Sequence, residues 1–140
     1  MTTLEDRPDV APEIGRDRRR KEDQRLITGR TRWTDNITLP GMLHLAMVRS
    51  PFAHARITGI DTSEAKAATN VVGVFTAADL GESQGVLINA WAITEDQVTP
   101  THLPMAADRV SFAGEIVAVV VARTQAEARD AAELVDVDYE

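Results

Sequence analysis

Leu39-Pro-Gly-Met-Leu-His-Leu-Ala-Met-Val-Arg-Ser-Pro-Phe-Ala-His-Ala-Arg-Ile57 decides how this chain is read. Pro40-Gly41 is a strong turn pair, because proline presets one backbone angle and glycine accepts the left-handed region. Residues 42–48 then carry apolar side chains on both sides of the two-residue alternation, which predicts a strand covered on both faces. Ser50-Pro51 breaks that strand, and residues 55–60 predict the next one. Between them lies a polar corner, Arg49, Pro51, Phe52, His54 and Arg56, which is the candidate interface. His54 reads either as an interface or substrate-channel contact or as a hydrogen bond that fixes the corner. His44, inside the apolar strand, reads as a core or half-buried imidazole ahead of a ligand.

On the N-terminal side, residues 1–23 show no hydrophobic periodicity, alternate acidic with basic side chains and hold two prolines. That predicts an extended or disordered charged arm, followed by one folded domain over residues 24–140. Arg25-Leu-Ile-Thr-Gly29 supplies the first apolar anchors, and residues 31–39 predict a first strand. On the C-terminal side, Asp61-Thr-Ser-Glu64 offers overlapping N-caps for a short helix through Ala68. Residues 71–75 are β-branched and predict a third strand, and Thr76-Ala-Ala-Asp79 has capping-box spacing for a helical turn.

Residues 81–108 carry mixed signals: 86–93 has a strand-like composition, yet the Gly, Asn, Gln, Thr and Pro around it argue for loops. Residues 109–112 predict a short strand, Gly114-Glu115 a turn, and residues 116–122 a buried strand. Thr124-Gln-Ala-Glu127 is a capping box for a helix to Leu134 that buries Ala128, Ala131, Ala132 and Val135. Val135, Val137 and Tyr139 alternate with Asp136, Asp138 and Glu140, the pattern of a half-exposed edge strand. The order predicts an α+β fold, a mixed β-sheet with two short helices on one face.

Composition narrows the function classes. Aromatics are only 4% of 140 residues, so a one-domain core is left to Val, Ile, Leu, Ala and Met. The absence of cysteine excludes disulfides, thiolate-held zinc and cysteine-ligated iron–sulfur clusters within this chain. The longest strongly apolar run, residues 116–122, falls well short of the ~20 residues a membrane span needs. The polar start lacks a secretory h-region, so no membrane partner and a cytoplasmic location are expected.

Residues 1–30 hold eight basic and seven acidic side chains, leaving seven basic and fifteen acidic for the remainder. The cluster Arg16, Arg18, Arg19, Arg20 and Lys21 suits phosphate contacts, but the acidic body repels a polyanion and no base-stacking motif accompanies it. No nucleic-acid partner is expected.

No catalytic constellation emerges. His102 has no partner at metal-ligand spacing, and no His-x-x-x-His pair exists. Asp136, Asp138 and Glu140 share a strand face and read as a solvent face that discourages edge pairing. Glu115 reads as a backbone cap before it reads as an acid or base. The glycine turns at Gly29 and Gly114 lack the strand–glycine–helix context of a phosphate loop. The residues themselves therefore nominate no catalytic, cofactor-binding or metal residue.

Several segments together are similar to the opening domain of molybdenum hydroxylase large subunits, the xanthine dehydrogenase, aldehyde oxidase and carbon monoxide dehydrogenase group. They are Arg20-Lys-Glu-Asp-Gln-Arg-Leu-Ile-Thr-Gly29, the stretch from Leu39 to Ile57, Val71-Val-Gly-Val-Phe-Thr-Ala-Ala-Asp-Leu80 and the run from Arg109 to Glu140. Departures from the family pattern are Gln24, Phe52 and Ile116. The resemblance implies the α/β hammerhead fold, and a non-catalytic N-terminal part or split subunit of a molybdopterin-dependent oxidoreductase. It also implies a molybdopterin cytosine dinucleotide-type cofactor in partner domains, with iron–sulfur and FAD centres elsewhere in the complex. The implied partners are the molybdopterin-binding catalytic chain and iron–sulfur and flavin subunits, with self-association when the chain is isolated. The alternative is an autonomous protein-binding module that reuses the fold without redox chemistry.

Overall fold

The computed structural model describes residues 19–87 and 94–140. They fall into two units, one through Pro40 and one from Gly41. The first contains a short helix, α1 (Asp23–Ile27), and a 3₁₀ turn at Thr34–Asn36. The strand expected over residues 31–39 is not formed. The Trp33 N–H donates to Asn36 Oδ1 at 3.2 Å. Asparagine side chains commonly offer the backbone this local alternative to a ladder.

In the second unit the chain runs β1 (His44–Arg49), β2 (Ala55–Asp61), α2 (Ser63–Ala67), β3 (Val71–Thr76) and α3 (Ala77–Leu80). It continues through β4 (Arg109–Val110), β5 (Ile116–Ala122), α4 (Gln125–Ala132) and β6 (Asp136–Tyr139). The expected strands at 55–60, 71–75 and 116–122 form, and the strand expected at 109–112 is limited to two residues. Part of the uncertain stretch 86–93 lies outside the described residues, while Val86 and Leu87 are irregular.

The α+β class holds, but the sheet expected to be single and mixed is two antiparallel sheets, ordered β1-β5-β3 and β4-β2-β6. One irregularity explains how β5 contributes to the packing of both. Val48 faces Ala118 while Arg49 faces Ile116, so Val117 has no opposite residue in the ladder. Such a bulge bends a strand and re-aims its side chains. Val117 packs with Ala55, Ala106 and Val110 against the second sheet, whereas Val120 packs with Val74, Ala65 of α2 and Ala131 of α4. Both valines are fully buried, each withdrawing about 2 kcal/mol of apolar surface from water.

The helix α4 starts as its sequence predicts. Thr124 Oγ1 accepts the Glu127 N–H at 3.2 Å and donates to Glu127 Oε2 at 2.8 Å. Its alanines Ala128 and Ala131 are buried, and Ala132 and Val135 are half-buried. The strand β1 differs from expectation. Leu45 and Met47 are 53% and 47% exposed, so β1 is covered on the His44, Ala46, Val48 face alone. Apolar character on both faces is present, but among the described residues packing is supplied to one.

Candidate functional site

The corner after β1 is built by a buried serine. Ser50 is 3% exposed, its hydroxyl donates to the Phe52 carbonyl at 3.1 Å, and it accepts the Phe52 N–H at 3.0 Å. The Ser50 backbone is tied to the turn before β5, its N–H donating to the Glu115 carbonyl and its carbonyl accepting from Gly114. Arg49 Nη1 donates to the Gly114 carbonyl at 2.7 Å. Gly114 has φ +90°, a conformation that side chains rarely adopt. The corner and the glycine turn, 65 residues apart in sequence, are thus one structural piece.

Of the expected interface residues, Arg49 spends part of its guanidinium on this turn. Phe52 meets Tyr139 edge-on, ring centroids 5.1 Å apart. Arg56 exchanges backbone hydrogen bonds with Glu140. Pro51, Phe52, His54 and Arg56 are all exposed. They lie on one short segment, where their spacing alone would put them.

Sequence reasoning missed the cleft beside this corner. It has a volume of about 360 Å³ and is lined by His102, Ala106, Arg109, Ser111, Phe112 and Glu115. Glu115 is 6% exposed, and its Oε2 accepts the Ser111 N–H. This is the backbone-capping role its turn position suggested. Its Oε1 lies 4.0 Å from His102 Nε2, and the His102 ring stands edge-on to Phe112. At that separation the carboxylate lies near the imidazole without a hydrogen bond to it, and the Ser111 amide that would stabilise a developing oxyanion is already spent on Glu115. No signal in one sequence joins His102 to Glu115. Ser50, by contrast, was findable as a hydroxyl residue immediately before a proline corner.

The remaining suspects stay apart. His44 is half-buried in β1 opposite Ala122, and Asp136, Asp138 and Glu140 are exposed along and just beyond β6. Among the described residues no three His, Asp or Glu side chains come together to hold a metal ion. No helix of the described residues is long and apolar enough to cross a membrane.

Residues 28–140 match the family described as aldehyde oxidase and xanthine dehydrogenase, a/b hammerhead domain. The chain belongs to this family. The hammerhead is similar to the nicotine 6-hydroxylase large subunit of Paenarthrobacter nicotinovorans, 43% identical over 91% of this chain and 15% of that one. It is also 41% identical to the carbon monoxide dehydrogenase large chain of Afipia carboxidovorans, over the whole of this chain and 17% of the relative. Among solved structures, quinoline 2-oxidoreductase from Pseudomonas putida 86 superposes with a TM-score of 0.77 at 46% identity, covering 86% of this chain and 15% of that one. The hammerhead thus spans about one sixth or less of the relatives it matches.

The family is one of molybdenum-cofactor oxidoreductases. The described residues of this hammerhead do not fit such a cofactor. The cleft sets Asp108 and the buried Glu115 carboxylate against the single guanidinium of Arg109, an unfavourable charge balance for the phosphates of a pterin dinucleotide.

Proposed function

We propose that the chain is the non-catalytic structural part, an N-terminal piece or a split subunit, of a molybdopterin-dependent oxidoreductase of the xanthine dehydrogenase, aldehyde oxidase and carbon monoxide dehydrogenase type. It scaffolds a separate molybdopterin-binding chain. The observation that carries this reading is the hammerhead match over residues 28–140, against relatives about six times longer or more.

In this reading the molybdopterin cytosine dinucleotide-type cofactor belongs to the catalytic chain, and iron–sulfur and flavin centres to further subunits. Pro51, Phe52, His54 and Arg56, exposed on a corner that Ser50 holds rigid, form a polar docking contact. Residues 1–23 serve as a charged arm ahead of the folded domain at 24–140, and the complex resides in the cytoplasm. Parted from its partners, the chain associates with itself through uncovered apolar surface.

The test is affinity purification of the tagged full chain from the cells that encode it, with molybdenum measured by mass spectrometry. A molybdenum-bearing chain is expected to co-purify, while the chain made alone should hold no molybdenum and catalyse no hydroxylation. Molybdopterin bound to the chain alone would overturn the proposal, as would a stable monomer with no affinity for a molybdenum-bearing chain.

A further inference from the structure

We infer that two copies of this chain join edge to edge through β1, extending the sheet β1-β5-β3 across a two-fold axis into one of six strands. The inference rests on the proposed self-association of the separated chain and names the surface that performs it. The strand β1 ends its sheet, and its outer side lines an open groove of about 560 Å³ that includes Leu45, Met47, Arg49, Arg129 and Glu133. From His44 to Val48 its pairing with β5 is unbroken, and that run carries no acidic, lysine or arginine side chain.

An unpaired, regular and largely apolar strand edge is a template for another strand. The other strand ends among the described residues are blunted. The register of β3 shifts between Val71 and Gly73, and the Phe75 ring lies over Gly73, 2.8 Å from where a Cβ would stand. In β6, Asp136 and Asp138 alternate with the half-buried residues, and Glu140 follows. The strand β4 has two residues.

The charges beside the groove point to a second copy as the occupant. Arg129 and Glu133 lie four residues apart near the end of α4, about one helical turn. A two-fold axis reverses their order, so Arg129 of each copy faces Glu133 of the other, a self-complementary arrangement. With the axis at Ala46, Leu45 of each copy stands opposite Met47 of the other. Both side chains lie on the open face, in register with Val121 and Val119 of β5. Each Leu45–Met47 pair then buries part of the apolar surface that the single chain leaves open, beside the Arg49 guanidinium, whose Nη2 donates to Met47 Sδ at 3.1 Å.

The natural chain has no cysteine, which makes a cross-linking test clean. Leu45→Cys and Met47→Cys chains, prepared separately, mixed and mildly oxidised, are expected to give the mixed 45–47 disulfide in excess over either like pair. Opposed Cα atoms in an antiparallel pair are about 4.5–5.5 Å apart, within disulfide reach, whereas diagonal neighbours lie at ~7–8 Å. Sedimentation equilibrium of a Met47→Lys chain should show the dimer dissociation constant raised about tenfold or more. Its far-UV circular dichroism should be unchanged, because Met47 is half exposed.

A dimer whose cross-links do not favour 45–47 would overturn the β1 pairing and leave self-association standing. A clean monomer at high concentration would overturn both. Neither result bears on whether a molybdenum-bearing chain co-purifies.

Discussion

Asn70 occupies the left-handed region at φ 62°, the one described non-glycine residue to do so. Its side-chain amide donates to Glu127 Oε1, and its carbonyl accepts the Arg123 N–H at 3.1 Å. One residue thereby fastens the turn before β3 to the start of α4. Asn70→Ala loses both the tolerated conformation and the amide, and should lower stability by about 1–2 kcal/mol in urea unfolding. Asn70→Gly keeps the backbone freedom and should cost less.

The same locality sets the acid response. The Ser63 amide holds Asp61 below its ordinary pKa, the Thr76 amide does so for Asp79, and the Asn70 side chain followed by Thr124 for Glu127. Depressed values mean that the unfolded chain takes up these protons first as the pH falls. Their stabilisation is present above the ordinary carboxylate values and fades as the pH drops through the lower folded ones. The urea midpoint should therefore decline from pH 5 to pH 3. A chain carrying Asp61→Asn, Asp79→Asn and Glu127→Gln should decline less over that interval.

At the scale of elements, the corner after β1 depends on Ser50 more than on its charged neighbours. Ser50→Ala strands the Phe52 amide and carbonyl and should cost about 1 kcal/mol. It should also loosen the contact of Phe52 with Tyr139, the sole tyrosine, whose ring proton shifts in NMR would report the change. This corner also marks how far one sequence can be read. The signals of α4, α2 and β5 are local, so Thr124 and Glu127 announced a helix start and residues 116–122 a buried strand. The link from Arg49 to Gly114 and the approach of His102 to Glu115 join distant segments, and nothing in their spacing encodes them. Nor does composition say which apolar face is covered. Leu45 and Met47 look the same in sequence as Val120, and only packing separates them.

For the whole molecule, the decisive element is β5, because Val117 and Val120 belong to different clusters on one strand. Val120→Ala should therefore destabilise both sheets together, by about 2 kcal/mol. Hydrogen exchange is the direct measurement. Amides of β2 and of β3 should lose equal protection in that variant, whereas two independent halves would lose it in β3 alone. Pro40-Gly41, which reads as a turn in the sequence, is where the described chain passes from one compact unit to the other.

The bare face of Leu45, Met47 and Phe75 has a consequence for the chain's life in the cell. Chaperones and proteases act on exposed apolar surface and on partly open chains, so abundance follows how well such surface is covered. Copies made in excess of their covering partner should be cleared, and the ratio of subunits would then be corrected by turnover after synthesis. A pulse–chase experiment should show a shorter half-life for the chain made alone than for the chain made with the molybdenum-bearing chain proposed as its partner.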